Sequence, residues 1–208
     1  MPDDFIPQQS AAWVRERVGC LTASRMKDAM AVLKNGKPAE ARNKLLMEIV
    51  AERMADCAAD HYVTAAMQWG IDNEPFAASA YENETGALLM PASFYRHPRI
   101  EHFGASPDRL LGDDGLVEIK CPSTPRYVEW RLAGVVPDEH KPQMIAQLAC
   151  TGRRYVDFVA FDPRVVNGPR LFIRRYEPTA EEIAAVETAA VEFLAEADRM
   201  FSLVTGAN

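Results

Sequence analysis

Ser106-Pro107-Asp108-Arg109-Leu110-Leu111-Gly112-Asp113-Asp114-Gly115-Leu116-Val117-Glu118-Ile119-Lys120 is the stretch whose reading decides the fold. Leu116, Glu118 and Lys120 alternate with Val117 and Ile119, so in a strand the acid and the lysine share one face. Asp113-Asp114-Gly115 is a tight-turn signal that folds the segment carrying Asp108 back beside that strand. Two converging carboxylates can hold a divalent cation, and a lysine beside them can steer or activate a water. Those are the parts of metal-assisted phosphodiester hydrolysis. The pattern is degenerate, and a Glu118–Lys120 ion pair on the wet face of an edge strand is the competing reading.

The surrounding chain favours an α/β layer fold. Its 208 residues, 48% hydrophobic and 25% charged, suit a single domain with a substantial core. No apolar run approaches the ~20 residues of a membrane span. Met1-Pro2-Asp3-Asp4 lacks the basic and apolar regions of a signal peptide, so a cytoplasmic protein is expected. Cys20, Cys57, Cys121 and Cys150 form no C-x-x-C pair, which argues for reduced thiols and against a zinc knuckle. His61, His97, His102 and His140 show no metal-ligand spacing either.

Helices are expected over 13–18, 22–33, 39–58 and 64–85, with Pro38 in the first turn of the third and Gly86 stopping the fourth. Leu45, Leu46, Ile49, Val50 and Met54 form the apolar stripe of the 39–58 helix. Strand signals follow at 88–90, 94–97, 101–106 and 116–120. Two more helices are expected at 125–133 and 138–151, and strands at 155–161 and 171–176. A closing helix over 179–203 opens with the capping box Thr179-x-x-Glu182.

The net charge of −7 argues against a protein that coats nucleic acid non-specifically. The acids concentrate in the last helix, however. Arg15, Arg17, Arg25 and Lys27, with Lys34, Lys37, Arg42 and Lys44, leave room for a local positive channel.

Several ordered motifs together carry a resemblance. They are Arg17-Val-Gly-Cys-Leu-Thr-Ala-Ser24, Gln68-Trp69-Gly70 with Glu74, Ser106-Pro107-Asp108, Glu118-Ile119-Lys120-Cys121-Pro122, Ala146-Gln147 and Phe161-Asp162-Pro163-Arg164. The chain resembles the lambda-type exonucleases, or YqaJ-like viral recombinases, of the PD-(D/E)xK nucleases. The resemblance implies a restriction-endonuclease-like mixed central sheet flanked by helices, a single lambda-exonuclease-like domain over 1–208. It also implies processive 5′-to-3′ digestion of one strand of linear double-stranded DNA, leaving a 3′ tail for recombination.

By the same resemblance, Asp108 and Glu118 bind Mg²⁺ (Mn²⁺ substituting), the Ile119 carbonyl completes the shell, and Lys120 acts on water. Glu74 and Gln147 join the active site, and Arg17, Ser24 and Ser106 grip a 5′ phosphate. Arg126 steers the scissile strand, and Met67 wedges between the strands. Without the resemblance Ser24 reads first as a helix N-cap, and the two roles coexist if Thr22 does the capping. Arg109 stands where glycine is common, and a phosphate contact is one role for it. The implied partners are a single-strand annealing protein and two further copies in a homotrimer ring, in a phage or prophage setting. A site-specific endonuclease of the same fold and an inactive DNA-end-binding subunit are the alternatives.

Overall fold

The computed structural model describes residues 5–59 and 63–206; Met1–Asp4 and His61 lie outside them. The N-terminal part is helical, as the periodicity predicts. Helix α1 spans Ala11–Arg17, capped by the Ser10 side chain, which accepts from the Trp13 N–H at 3.2 Å. A short strand β1 (Leu21–Thr22), a 3₁₀ turn (Ala23–Arg25) and the single turn α2 (Met26–Ala29) replace the expected helix over 22–33. Neither Thr22 nor Ser24 caps a helix; their hydroxyls pair with each other at 3.2 Å. The cause is competition from β1, which pairs in parallel with a distant strand.

Pro38 makes an isolated bridge to Val32, so α3 begins later, at Glu40, and runs to Ala55. Its stripe of Leu45, Leu46, Ile49 and Val50 is buried, but Met54 is exposed. Helix α4 (Ala65–Thr85) is N-capped by Thr64, where the sequence reading began the helix itself, and has the Gly86 stop read from sequence.

Strands β2 (Leu89–Pro91), β3 (Tyr95–Arg96), β4 (Phe103–Ala105), β5 (Arg109–Leu111) and β6 (Gly115–Lys120) follow. Strand β5 carries no strand signal of its own and is set by its antiparallel register with β6, Arg109 opposite Val117 and Leu111 opposite Gly115. The turn is therefore 112–114, with Gly112 at φ +53° as its left-handed residue and Gly115 already in β6. Helices α5 (Thr124–Ala133) and α6 (Lys141–Thr151), the latter preceded by a 3₁₀ turn, lead to β7 (Tyr155–Phe161), β8 (Leu171–Tyr176) and α7 (Ala180–Thr205). The capping box of α7 is complete on both sides.

The architecture is a single-domain α/β fold with a mixed five-stranded sheet, β2-β5-β6-β7-β8. The β6–β7 pair is parallel and its neighbours antiparallel, because α5 and α6 cross over between these two strands. A second, three-stranded sheet, β1-β4-β3, forms separately. Period-two alternation divides the main sheet's surroundings. Val117, Ile119, Val159 and Phe161 pack against Ala77, Ala78 and Tyr81 of α4. Leu116, Val156, Phe158 and Ala160 pack against Tyr127 and Trp130 of α5 and Met144 and Leu148 of α6. A third cluster joins α3, β4, α6 and α7 through Leu46, Phe103, Ile145 and Phe193.

Glu118 therefore sits on the α6 face of a strand flanked on both sides, which excludes the edge-strand reading. Phe158, its cross-strand partner, is fully buried. Phe158→Ala should destabilise the domain by about 3–5 kcal/mol, measured as a lower guanidinium midpoint with little change in slope.

Candidate active site and end-binding pocket

The site is built around a carboxylate that the fold has nearly removed from water. Glu118 is 1% exposed, and a buried charge is tolerated only when paired and hydrogen-bonded. Its Oε1 accepts from Lys120 Nζ at 2.5 Å and from Gln143 Nε2 at 2.7 Å. Its Oε2 accepts from Gln147 Nε2 at 2.6 Å. Lys120 shares the face because it lies two residues along the strand, and its Nζ also reaches Gln143 Oε1 at 3.4 Å. Burial opposes the Lys120 ammonium, but Glu118 and then Asp108 override it and hold its pKa above the usual value.

Gln143 is the residue missed from sequence. The available signal was its spacing: Gln143 and Gln147 are one helical turn apart on α6 and address the two oxygens of one carboxylate. Gln147 is fully buried, and its Oε1 has no hydrogen-bond partner among the described residues.

Asp108 lies just before β5, where the hairpin returns it to β6. Its Oδ2 accepts from the Ile119 N–H at 2.6 Å. Burial and the nearby Glu118 charge push its carboxyl well above the usual aspartate range. Among the described residues, no three or more His, Cys, Asp or Glu side chains gather into a metal-binding group. The donor set still fits a hard cation: two carboxylates that repel each other in a largely buried place, with the main-chain carbonyl of the residue after Glu118. Asp108, Glu118 and the Ile119 carbonyl are the groups that would hold it. Glu74 is brought to the same cavity from α4, but its Oε1 is engaged by Arg109 Nη1 at 2.6 Å.

The expected phosphate-gripping residues meet in part. Ser106 Oγ accepts from Arg17 at 3.2 Å and from Trp13 Nε1 at 2.9 Å, and the Arg17 guanidinium stacks 4.1 Å over the Trp13 ring. Arg17 and Ser24 line one cavity of about 350 Å³ together with Met67, which is half exposed at the start of α4. Gly19, at φ +67°, lets the chain turn after α1 while its N–H donates to Glu52 and its carbonyl accepts from Arg53 of α3. That turn holds Arg17 over the pocket. Burial lowers the Arg17 pKa to about 10, and the residue forms no ion pair among the described residues.

The other basic residues differ. Arg15 pairs with Asp56, Arg25 with Asp28 and Glu48, and Arg42 with Glu196. The positive channel read from these side chains is thus partly neutralised, while Arg17 lines a cavity with no acid paired to it among the described residues. Arg126, at the start of α5, is exposed and bound to Glu129 and Glu139.

Cys121 is packed toward α4, as its alternation indicates, and burial raises its thiol pKa to about 12. Of the histidines, His140 lies nearest this chemistry. It stacks on Phe158 at 5.4 Å and meets the Trp130 edge at 5.2 Å, and burial, then Lys120, lower its pKa to about 4.

A profile of the YqaJ-like viral recombinase domain matches residues 12–154, and the chain belongs to that family. Among solved structures, the fold is similar to the alkaline exonuclease LHK-Exo from Laribacter hongkongensis. The two are 37% identical over 94% of this chain and 96% of that one, with a TM-score of 0.87. The structure of LHK-Exo in complex with dAMP matches equally well. A phage-related exonuclease from Haemophilus somnus 129PT shares the fold at 15% identity, over 89% of this chain and 96% of that one, with a TM-score of 0.63. Among curated proteins, no sequence matches. Membership makes this a nuclease of the alkaline exonuclease and viral recombinase group.

His140 gives a pH prediction. Its folded-state pKa lies below that of a free imidazole, so the unfolded chain binds the proton first as pH falls. Stability should therefore drop between about pH 6.5 and pH 4, by an amount on the order of 2–3 kcal/mol. His140→Gln should flatten the denaturant midpoint across that window.

Proposed function

We propose that this nuclease is a metal-dependent, processive 5′-to-3′ exonuclease on linear double-stranded DNA, leaving a 3′ single-stranded tail for strand annealing. The observation that carries the reading is the two-residue separation of Ser106 and Asp108. Ser106 belongs to the Arg17 pocket, and Asp108 belongs to the cutting site. An anion seated at Arg17 is thereby held at a fixed short distance from the carboxylates, so a terminal phosphate selects the bond to be cut.

Within this reading each side chain has a task. Arg17 offers a permanently charged planar fork to the terminal phosphate, and the Ser106 and Ser24 hydroxyls complete its surroundings. Gln143 and Gln147 fix both oxygens of Glu118, and Lys120 orients the attacking water from the same face. Asp108 is oriented by the Ile119 N–H. Mg²⁺, or Mn²⁺ in its place, supplies charge stabilisation at the phosphate when bound. Met67 stands at the pocket mouth where an incoming duplex end divides. Arg126 remains a candidate strand contact only once its pairing with Glu129 and Glu139 is exchanged for phosphate.

Enclosure of DNA by a homotrimer ring explains processivity without strong affinity, which suits a chain of net charge −7. A single-strand annealing protein is the partner that consumes the 3′ tail, in the cytoplasm of a bacterial cell carrying a phage or prophage. LHK-Exo's name and its capture with dAMP support nucleotide-releasing chemistry on this fold.

The test is release of nucleotides from linear duplex with Mg²⁺ present. Asp108→Asn and Glu118→Gln should reduce release to background while leaving the thermal melt cooperative. Gln143→Ala should cost about 10–100-fold. A closed circle should remain intact; its digestion would favour an endonuclease. Arg17→Ala should lose about ten- to a hundredfold of rate on 5′-phosphorylated ends and little on 5′-hydroxyl ends. An equal loss on both would remove the end-binding pocket.

A further inference from the structure

The segment ahead of α1 is tied to the two loops that lead into β3 and β5. The Ile6 N–H donates to Ser93 Oγ at 3.1 Å, and that hydroxyl donates back to the Ile6 carbonyl at 3.2 Å. Two residues on, the Gln8 side-chain amide donates to the Pro107 carbonyl at 2.7 Å and to the Ala92 carbonyl at 3.2 Å. An amide nitrogen carries two N–H bonds, so both are spent on these carbonyls. Ala92 and Pro107 are buried, where a carbonyl that loses its donor is costly. A turn closed by the Ser10 N–H on the Pro7 carbonyl at 3.3 Å then delivers the chain to α1. Gln9 holds that turn at φ +65°, a conformation that usually selects glycine.

Pro107 is the single residue between the two halves of the site. On one side Ser106 Oγ accepts from Arg17 and Trp13, and on the other Asp108 Oδ2 accepts from the Ile119 N–H. Each flank therefore has partners of its own. With planar peptides, the distance from the Ser106 Cα to the Asp108 Cα depends only on the φ and ψ of Pro107. The ring of Pro107 fixes φ at about −65°. Rotation about ψ is the freedom that remains, and it swings the carbonyl that Gln8 holds.

We infer that Gln8 is a positioning residue, which fixes the Pro107 peptide and so sets the separation between the anion pocket and the cutting carboxylates. This rests on Arg17 and Ser106 being the seat of a 5′ phosphate. Gln8 lines the same cavity of about 240 Å³ as Asp108 and Glu74, but its donors are committed to the backbone. Without its bond each half-site keeps its own partners, while their separation takes several values. A phosphorylated end uses both halves at once and loses rate. A hydroxyl end uses only the carboxylates and is spared.

The experiment follows the first cut on linear duplex carrying a labelled first nucleotide, with Mg²⁺ and excess full-length protein. It gives a maximal rate and a half-saturating protein concentration for 5′-phosphate and for 5′-hydroxyl ends. Gln8→Met keeps the length of the side chain and removes both donors. Its maximal rate on phosphorylated ends should fall about ten- to a hundredfold, with half-saturation and the hydroxyl-end rate little changed. Partial unfolding would slow both ends by the same factor, so the ratio of the two rates separates positioning from stability. Gln8→Glu, which turns an acceptor toward the same two carbonyls, should lose at least as much of the ratio. Gln8→Ala admits water to those carbonyls and serves, with the same fall expected, if the methionine variant lacks a cooperative melt. A native ratio in the folded variant would overturn the proposal, as would weaker half-saturation at an unchanged maximal rate. If the native chain treats the two ends alike, the end-binding pocket itself fails, and the role of Gln8 falls with it.

Discussion

A carboxylate placed inside a sheet has to be answered by donors, and the rest of this molecule is arranged around that requirement. Glu118 lies on a strand with neighbours on both sides, under a helix, at 1% exposure. Left alone it would be an uncompensated charge inside the domain, at a cost of several kcal/mol on the order of a lost buried ion pair. Three side chains prevent this: Lys120 from its own strand, and Gln143 and Gln147 from α6. That demand fixes the rotation of α6, which must present one polar edge to the sheet while Met144 and Leu148 fill the space beside it. The parallel β6–β7 pairing follows, since the crossover through α5 and α6 is what lays that helix over the acid.

The same economy of charge governs the neighbourhood. Asp108 is tied down by a main-chain N–H, and Glu74 is held by Arg109. Each acid is oriented by a different kind of partner: ammonium and amides, backbone, guanidinium. This lets three like charges share a small volume with none of them fully neutralised. Arg17 is the counterpart on the substrate side. It is buried enough for its pKa to fall to about 10, yet it is met by a hydroxyl and the faces of Trp13 and Phe94 rather than by an acid.

Much of this was legible in the sequence because it depends on short periods. The Glu118–Lys120 alternation, the α4 stop at Gly86, and the Thr179–Glu182 box are local rules that the fold obeys. The failures are equally physical. The expected helix over 22–33 gave way to strand pairing between Leu21 and Phe103, residues far apart in the chain. Strand β5 is three residues long and exists only because β6 lies beside it. Gln143 was hidden because a polar residue in a helix announces nothing until its facing strand is known. The arginines read as a positive channel were mostly answered by acids distant in sequence, such as Glu196 for Arg42. A departure from a familiar pattern, Arg109, is tied to the site through Glu74 and the Asp108 carbonyl.

The chain divides unevenly between chemistry and support. The side chains of the anion pocket and the carboxylate centre, from Arg17 to Gln147, fall within the 12–154 stretch that defines the family, with Gln8 just ahead of it. The C-terminal segment, β8 and the long α7, contributes Phe172, Val186, Ala190, Phe193 and Leu194 to the hydrophobic interior. The requirement on that segment is one of volume and helical periodicity. The exposed face of α7 can change freely, but its buried face bears on α6 and through that helix on the glutamines that hold Glu118.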